Sequence, residues 1–275
     1  MKPPLVITSA ANPRVKALVR LRGRRERREQ GLVIVEEPLV IRRALDAGVP
    51  AVEVWACPQQ MATATAALYA DLAAAGVPTV EVPPQVMDKV AYRDGSEGLL
   101  LVARNRETGL GDLDLPAGRP ALVVALENVE KPGNLGAVLR IADGAGAGAV
   151  LCTGVGADPG NPNCLRASRG AAFSVPAVEA PPAQAAAWLR ERGLTILAAT
   201  PDGGRPWDEV DLTGPVALVL GAEHEGLSPT WLAAADGRVA VPMAGTGDSL
   251  NVAATAAVLL YEAVRQRRAA GRDTP

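Results

Sequence analysis

The sequence has few of the residues that build metal centres and covalent cross-links. Its 275 residues include a single histidine, His224, and three cysteines, Cys57, Cys152 and Cys164, which form no CxxC pair. A structural zinc site needs several such ligands, and an odd number of scattered cysteines gives no disulfide framework. We therefore expect no metal site and a reducing compartment, the cytoplasm.

Long apolar runs and phosphate-binding loops are also missing. No stretch approaches the eighteen or so apolar residues of a membrane span, and no apolar segment follows the first charges, so we expect neither membrane insertion nor secretion. There is no GxxxxGK[ST] loop, which argues against an ATPase or a kinase. Residues 144–148 alternate glycine and alanine, but a predicted helix precedes them and a strand follows, so we interpret them as a helix end rather than a dinucleotide loop.

The formal net charge of −2 hides an uneven distribution. Residues 1–43 carry eleven lysines and arginines against four acids. The start of the chain is therefore at about +7 and the remainder at roughly −9. A positive surface of this kind favours a partner rich in phosphates, although the chain as a whole is slightly acidic.

The pattern of apolar segments divides the chain into two α/β parts. Strand-like and helix-like segments alternate up to about residue 103, residues 104–118 are polar and Gly-rich, and a continuous apolar run starts the alternation again at Ala121. We predict a domain over residues 1–105, a linker over 106–119 and a second domain over 120–275. The first opens with a basic helix within residues 8–30, and the second is a parallel sheet with flanking helices.

Three polar segments follow strands of the predicted parallel sheet. They read NVEKPGNLGAVLR at residues 128–140, GAEHEG at 221–226 and RVAVPMAGTGDSLN at 238–251, the last with its own strand. Open parallel sheets bind their ligands at the carboxyl ends of the strands, which favours a site here. The alternatives are ordinary loops, with Asn134 and Ser249 as helix caps and Arg140 as a solvated helix charge.

Taken together, these segments resemble the three motifs of the TrmH-type branch of the SPOUT methyltransferases, which methylate RNA ribose. Asn128 to Arg140 matches NxxxPGNxGAxxR, Gly221 to Ser228 matches GxExxGLS, and Val241 to Ala254 contains the PMxGxxxSLNV pattern of the third motif. The order and separation of the motifs also agree with the family. The resemblance implies an α/β protein with a C-terminal parallel-sheet SPOUT domain, tied in a trefoil knot, and a smaller N-terminal α/β RNA-binding domain.

The resemblance also implies an enzyme that transfers a methyl group from S-adenosylmethionine to a ribose 2′-hydroxyl. The positions that match the family's catalytic set are Asn134, Arg140, Glu223, Ser249 and Asn251. Those that match its cofactor contacts are Thr200, Leu220, Gly221, Val241, Pro242, Met243 and Leu250. The family works as a homodimer, so Arg140 is expected to reach the partner's cofactor. Since a guanidinium stays protonated, we favour a role for Arg140 in positioning phosphate and stabilising charge, and the identity of the general base is left open.

The N-terminal part resembles the substrate-binding domain that precedes this module in ribosome-modifying members, with Glu37 where many relatives carry glycine. The residues expected to contact RNA are Arg22, Arg24, Arg25, Arg28, Arg166, Ser168 and Arg169. Large-subunit (23S) ribosomal RNA is the favoured substrate, and a role in antibiotic resistance is compatible with this arrangement. The alternatives are a ribose or base methyltransferase of transfer RNA and a non-catalytic RNA-binding assembly factor.

Overall fold

The structure is a computed structural model that describes residues 3–93, 95–105, 108–156, 158–222 and 225–272. The strands are β1 Leu5–Val6, β2 Leu32–Glu36, β3 Ala51–Ala56, β4 Thr79–Glu81, β5 Leu99–Arg104, β6 Leu122–Glu127, β7 Ala149–Thr153, β8 Ala177–Ala180, β9 Thr195–Ala199, β10 Arg205–Pro206, β11 Val216–Leu220 and β12 Gly237–Ala240. The helices are α1 Pro13–Arg20, α2 Arg24–Gln30, α3 Pro38–Asp46, α4 Thr63–Ala74, α5 Pro84–Val90, α6 Pro132–Gly144, α7 Pro162–Ala167, α8 Pro182–Glu191, α9 Pro229–Ala234 and α10 Val252–Ala269.

These elements form two compact units. The first contains residues 1–107 and 160–173, and the second contains residues 108–159 and 174–275. Residues 160–173, which include α7, therefore pack with the first unit although they lie far along the chain. In the described residues no helix has both the length and the apolar character needed to cross a bilayer.

The first unit is built on a five-stranded mixed sheet in the order β1-β4-β3-β5-β2. Strand β5 pairs antiparallel with both of its neighbours, whereas β1, β4 and β3 run parallel. One face packs on α1 and α5 through residues such as Leu18 and Met87, and the other packs on α3 and α4 through Ile41 and Leu68. Leu165 of α7 joins this second cluster, which is why the late segment belongs to the unit.

The predicted single basic helix near the start of the chain is wrong, because the structure has two helices there. The amide of Gly23 donates to the Arg20 carbonyl at 2.9 Å and ends α1, and α2 starts at the next residue. Arg27 of α2 is 2% exposed and donates from Nη1 to the carbonyls of Leu21 (2.7 Å) and Arg22 (2.6 Å). One arginine of the basic run therefore stabilises the turn instead of facing solvent.

The second unit has a seven-stranded parallel sheet in the order β10-β12-β9-β11-β6-β7-β8. The central strands β6 and β11 are buried along their whole length, as their continuous apolar sequences predict. Helices α8 and α9 pack on one face of this sheet. Helices α6 and α10 pack against each other. Contacts join Asn134 to Asn251 and Gly144 to Tyr261, so these two helices run in the same direction.

The glycine-alanine segment after α6 is a helix end, as the sequence predicts. Helix α6 stops at Gly144, and Gly146 has a φ of 68°, a left-handed conformation that favours glycine. The Gly146 carbonyl accepts a hydrogen bond from Arg119 at 2.8 Å. The start of α6 differs from the prediction: Pro132 begins the helix after Lys131, so Asn134 lies inside its first turn and is not the cap.

The C-terminal helix is anchored at its far end by a buried arginine. Arg267 is 2% exposed and donates hydrogen bonds of 2.7–3.1 Å to four carbonyls, which precede β6 or β11. The carbonyl oxygens belong to Pro120, Ala121, Leu212 and Gly214. No apolar side chain can replace this many donors.

We expect Arg267→Met to lower the free energy of unfolding by roughly 3 kcal/mol, because the substitution leaves buried carbonyls without donors. The matched control is Arg268→Met, since Arg268 is the exposed neighbour on the same helix turn. Urea denaturation of the two variants measures the difference. Equal midpoints for both would show that the carbonyl contacts do not stabilise the unit.

Candidate active site

The three motif segments lie at one edge of the parallel sheet of the second unit. Strands β12, β9, β11 and β6 are neighbours in that order, and β12, β11 and β6 are each followed by one of the motif segments. The loops that follow β6, β11 and β12 are residues 128–131, 221–228 and 241–251. Because the strands run parallel, these loops meet at the edge where open α/β sheets bind ligands.

A cavity of about 350 Å³ lies at this edge, a size suited to a small-molecule ligand. Of the residues that the resemblance assigns to the cofactor, five line it: Thr200, Leu220, Gly221, Val241 and Leu250. Ser249, assigned to catalysis, lines it as well.

The two remaining cofactor assignments are not on this wall. Pro242 and Met243 belong to the same loop as Val241 but are exposed, Met243 at 38%. Their assignment as cofactor contacts stays a prediction. The structure therefore groups most, but not all, of the predicted cofactor residues around one space.

The second motif forms a tight loop that turns back on itself. The amide of Gly226 donates to the Ala222 carbonyl at 3.1 Å, and the two residues form a β-bridge. A Cβ atom on Gly221 would lie 2.3 Å from backbone atoms of Gly226, so only glycine fits there. Glu223, assigned to catalysis, and His224 lie outside the described residues.

The first and third motifs meet through two asparagines. The side-chain amide of Asn251 donates to Oδ1 of Asn134 at 3.4 Å. Asn251 also accepts the Ala253 amide hydrogen at 3.0 Å and is therefore the N-cap of α10, a role that the sequence also allows for Ser249. This contact brings two of the five predicted catalytic residues together.

Arg140 lies on α6, six residues after Asn134. At 100° per residue, the two side chains point about 120° apart around the helix, so they do not share a face. Arg140 is exposed and makes no hydrogen bond or ion pair with any residue that the structure describes. Its guanidinium is therefore available to a group from outside the unit.

Several residues that line the cavity are not among the predicted site residues. Val252, Thr255 and Leu259 of α10 line the cavity, and their i, i+3, i+7 spacing on one helix face is a signal that could have found them. Two carboxylates, Glu225 and Asp248, also lie on the wall. Both lie within the second and third polar segments of the sequence, but neither position is among those assigned to catalysis or to the cofactor.

The lining residues fit S-adenosylmethionine. Leu220, Val241 and Leu250 offer apolar contacts for an adenine ring, and the Glu225 and Asp248 carboxylates suit the positive charges of the amino group and the sulfonium. Gly221 contributes backbone to the wall of the cavity, and the space that its side chain would need is filled by backbone atoms of Gly226. Among the described residues, no group of three or more potential ligands is arranged to hold a metal ion.

The arginines assigned to RNA differ in their surroundings within the first unit. Arg25 and Arg28 of α2 are exposed, and Arg25 pairs with Glu29 at 2.7 Å. Arg24 is half-buried. Arg22 donates to the carbonyls of Lys89, at 2.8 Å, and of Ala91, so part of its donor capacity is used inside the unit.

The late segment of the first unit contains the other three assigned residues. Ser168 is fully buried and its hydroxyl donates to the Leu165 carbonyl at 2.7 Å, so it stabilises the turn after α7 and does not face solvent. Arg169 is exposed and lies 3.7 Å from the carboxylate of Glu37. Arg166 is half-buried and donates to the Asn163 side chain at 3.2 Å.

Two neighbouring glutamates at the end of β2 lie beside these arginines. Glu37 has a φ of 67°, which explains why glycine suits this position in many members of the family that the chain resembles. Burial raises the pKa of the Glu36 carboxyl, while the hydrogen bond from the Tyr92 amide and the positive charges of Arg22 and Arg166 act in the opposite direction.

We expect Gly221→Ala to weaken S-adenosylmethionine binding by at least about tenfold, because the added methyl group collides with the Gly226 backbone and forces the second motif loop open. Gly245→Ala is the matched control, since a Cβ atom there meets nothing within 4 Å. Isothermal titration calorimetry of both variants measures the effect. Unchanged binding by Gly221→Ala would contradict the assignment of this loop to the cofactor.

Two family profiles match the chain in succession. Residues 12–101 match the MRM3-like substrate binding domain. Residues 121–261, just over half of the chain, match the SpoU rRNA Methylase family. The three motifs lie within the second match.

Individual proteins give the same result. A 23S rRNA (uridine(2479)-2′-O)-methyltransferase of Streptomyces viridochromogenes is 39% identical over 163 residues, which are 57% of each chain, so the match spans little more than half of that relative. An RNA 2′-O ribose methyltransferase of known structure is 40% identical, with a TM-score of 0.84 over 96% of this chain and 100% of the other.

An AdoMet-bound rRNA methyltransferase from Sinorhizobium meliloti is also similar in structure. It is 30% identical, with a TM-score of 0.84 over 94% of this chain and 97% of the other. Both units of the chain therefore have counterparts in solved methyltransferases. Because the family profile matches more than half of the chain, and residues of the second and third motifs line one cavity, the chain belongs to the SpoU rRNA methylase family.

Proposed function

We propose that the chain transfers a methyl group from S-adenosylmethionine to a ribose 2′-hydroxyl of 23S ribosomal RNA. The observation that carries the proposal is the cavity at the carboxyl ends of β9, β11 and β12, which has residues of the second and third motifs on its wall. S-adenosylmethionine bound there would supply a methyl group activated by the positive charge on its sulfur. The side chains around the cavity then have to bind the cofactor, orient the ribose and polarise its hydroxyl group.

Positioning is the main task of these side chains, since a ribose hydroxyl is a poor nucleophile. Ser249, on the wall, and the hydrogen-bonded pair Asn134 and Asn251 offer donors and acceptors that orient the ribose. Arg140, exposed and permanently protonated, suits an RNA phosphate next to the hydroxyl. Glu223 is assigned to the same set by its match to the second motif.

The first unit serves as the RNA-binding domain in this proposal. Along the chain we place the functional boundaries at residues 1–105 and 120–275, joined by 106–119, and residues 160–173 contribute to the RNA-binding unit with which they pack. The exposed side chains of Arg25, Arg28 and Arg169 are the candidate phosphate contacts, since phosphates dominate affinity for RNA and contribute little sequence preference. The structural roles of Arg22 and Ser168 weaken their assignment to RNA.

Ribosomal RNA is the proposed substrate because relatives named for it match this chain, and because a substrate-binding domain of the MRM3-like type precedes the catalytic unit. A cytoplasmic location follows from that substrate. Protection against a ribosome-targeting antibiotic is one use of such a modification. Methylation of transfer RNA, or of a base, is the second candidate.

We also propose a homodimer with a knotted catalytic unit. The parallel layer of α6 and α10 carries Arg140, which has no ion pair with any described residue, and Tyr261, whose large side chain is 51% exposed. A second copy on this layer would cover the tyrosine and bring Arg140 to the partner's cavity. The return of the chain from β12 to α10, beside α6, supports the trefoil knot of the SPOUT fold.

Wild-type protein with labelled S-adenosylmethionine should place label in a 2′-O-methylnucleoside of ribosomal RNA, as measured by mass spectrometric analysis of separate ribosomal and transfer RNA pools. Arg140→Ala should lower the rate by about a hundredfold, because the charge next to the reacting hydroxyl is lost. The control Arg268→Ala removes an equal charge from an exposed site and should keep the rate. Label in a base, or in transfer RNA alone, would contradict the proposal.

Sharing of the site between subunits predicts complementation. Arg140→Ala and Gly221→Ala proteins, each impaired alone at a limiting S-adenosylmethionine concentration, should regain about a quarter of wild-type activity when co-expressed with different tags, because half of the dimers would contain one intact site. Pairing Arg140→Ala with wild-type protein calibrates the exchange of subunits. Mixed dimers without activity would show that each site uses its own Arg140.

A further inference from the structure

A buried carboxylate outside the predicted site residues contacts the second motif loop. Glu127, the last residue of β6, is 2% exposed, and its Oε2 accepts the amide hydrogen of Ser228 at 2.7 Å. Glu127 lies 101 residues before Ser228 in the chain. Ser228 is the last residue of the loop that starts at Gly221. The contact therefore joins the end of the central strand to the end of a cavity loop.

The loop transmits the position of Ser228 to the cavity because it is short and closed. Gly226 bonds back to Ala222, and Gly221 lies too close to Gly226 for any side chain to fit between them. Gly221, Ala222, Glu225 and Gly226 all line the cavity. Moving Ser228 thus moves a wall of the cavity.

A second buried contact holds the helix after the loop and does not involve Glu127. Trp231 of α9 is fully buried, and its Nε1 donates to Oγ1 of Thr153 at 3.1 Å. The same hydroxyl donates to the Leu126 carbonyl at 3.2 Å. Thr153 lies directly opposite Glu127 in the β6–β7 pairing. The Glu127 contact holds Ser228, whereas the Thr153 contact holds Trp231. Because the two contacts lie side by side, Thr153 is a matched control for Glu127.

Burying a carboxylate that accepts one amide hydrogen bond costs free energy of desolvation. A neutral acceptor would accept the same hydrogen bond at a lower desolvation cost. The length of the side chain is therefore the property to examine. Glutamine keeps an oxygen at the same distance from the backbone, whereas aspartate keeps the charge but withdraws its oxygens by about one C–C bond, roughly 1.5 Å. The two variants separate reach from charge.

We propose that Glu127 is a positioning residue for the cofactor site: its oxygen fixes the Ser228 amide and so sets the second motif loop against the cavity. The inference rests on the proposed function, because it assigns the cavity to S-adenosylmethionine. It adds a buried residue that does not line the cavity. The reach of the side chain determines the geometry of the loop.

The experiment compares Glu127→Gln, Glu127→Asp and Thr153→Val with the wild-type full chain. S-adenosylmethionine dissociation constants are measured by calorimetry, and hydrogen–deuterium exchange of the peptide that contains residues 221–228 is measured without cofactor. Glu127→Asp should bind at least about tenfold more weakly, with faster exchange of the loop, while Glu127→Gln stays within about threefold of wild type in affinity and keeps the loop protected. Thr153→Val should lower the melting temperature and leave the dissociation constant within about threefold.

Three results would overturn the proposal. The first is that Glu127→Asp keeps wild-type affinity and loop protection. The second is that Glu127→Gln loses as much affinity as Glu127→Asp, and the third is that Thr153→Val loses as much affinity as Glu127→Asp. Exchange is measured without cofactor, so it reports the contact even if the protein transfers no methyl group to RNA. Failure of the proposed function is therefore distinguishable from failure of this inference.

Discussion

The common direction of the strands in the second unit is the constraint on which the rest of its structure depends. The carboxyl ends of all strands lie at one edge of the sheet, so loops that are far apart in sequence meet there. The segments that precede the strands lie at the opposite edge. Helix α10 spans both edges: Asn251 lies among the motif loops, and Arg267 binds the carbonyls before β6 and β11. At 1.5 Å per residue, its length matches that task.

This constraint also explains how much the sequence alone could predict. Apolar runs such as 122–127 and 216–220 are strong signals, and the central strands β6 and β11 lie where these runs predict. Shorter elements were not predicted, among them β1 and β10, with two residues each, and α7 and α9, with six residues each. Elements this short contain too few residues for a period of 2 or 3.6 to be visible, and tertiary contacts determine them.

Local chemistry at the loops was harder to predict than the loops themselves. Both Ser249 and Asn251 are good capping residues, and only the structure shows that Asn251 caps α10, because the choice depends on where the chain turns into the helix. Glu127 is a single acid at the end of an apolar run, and its partner Ser228 is defined by strand order rather than by spacing. The sequence around either residue does not predict a contact between neighbouring strands that are far apart in the chain.

The buried position of Arg27 and the bonded state of Arg22 change how the positive start of the chain should be counted. RNA binding releases the small cations condensed on the phosphates, and the number released follows the number of basic groups that reach them. Arginines that bind carbonyls of the same unit displace fewer of these cations, even though they contribute to the formal charge. The ionic atmosphere of the nucleic acid therefore responds to fewer positive groups than the composition of the segment suggests.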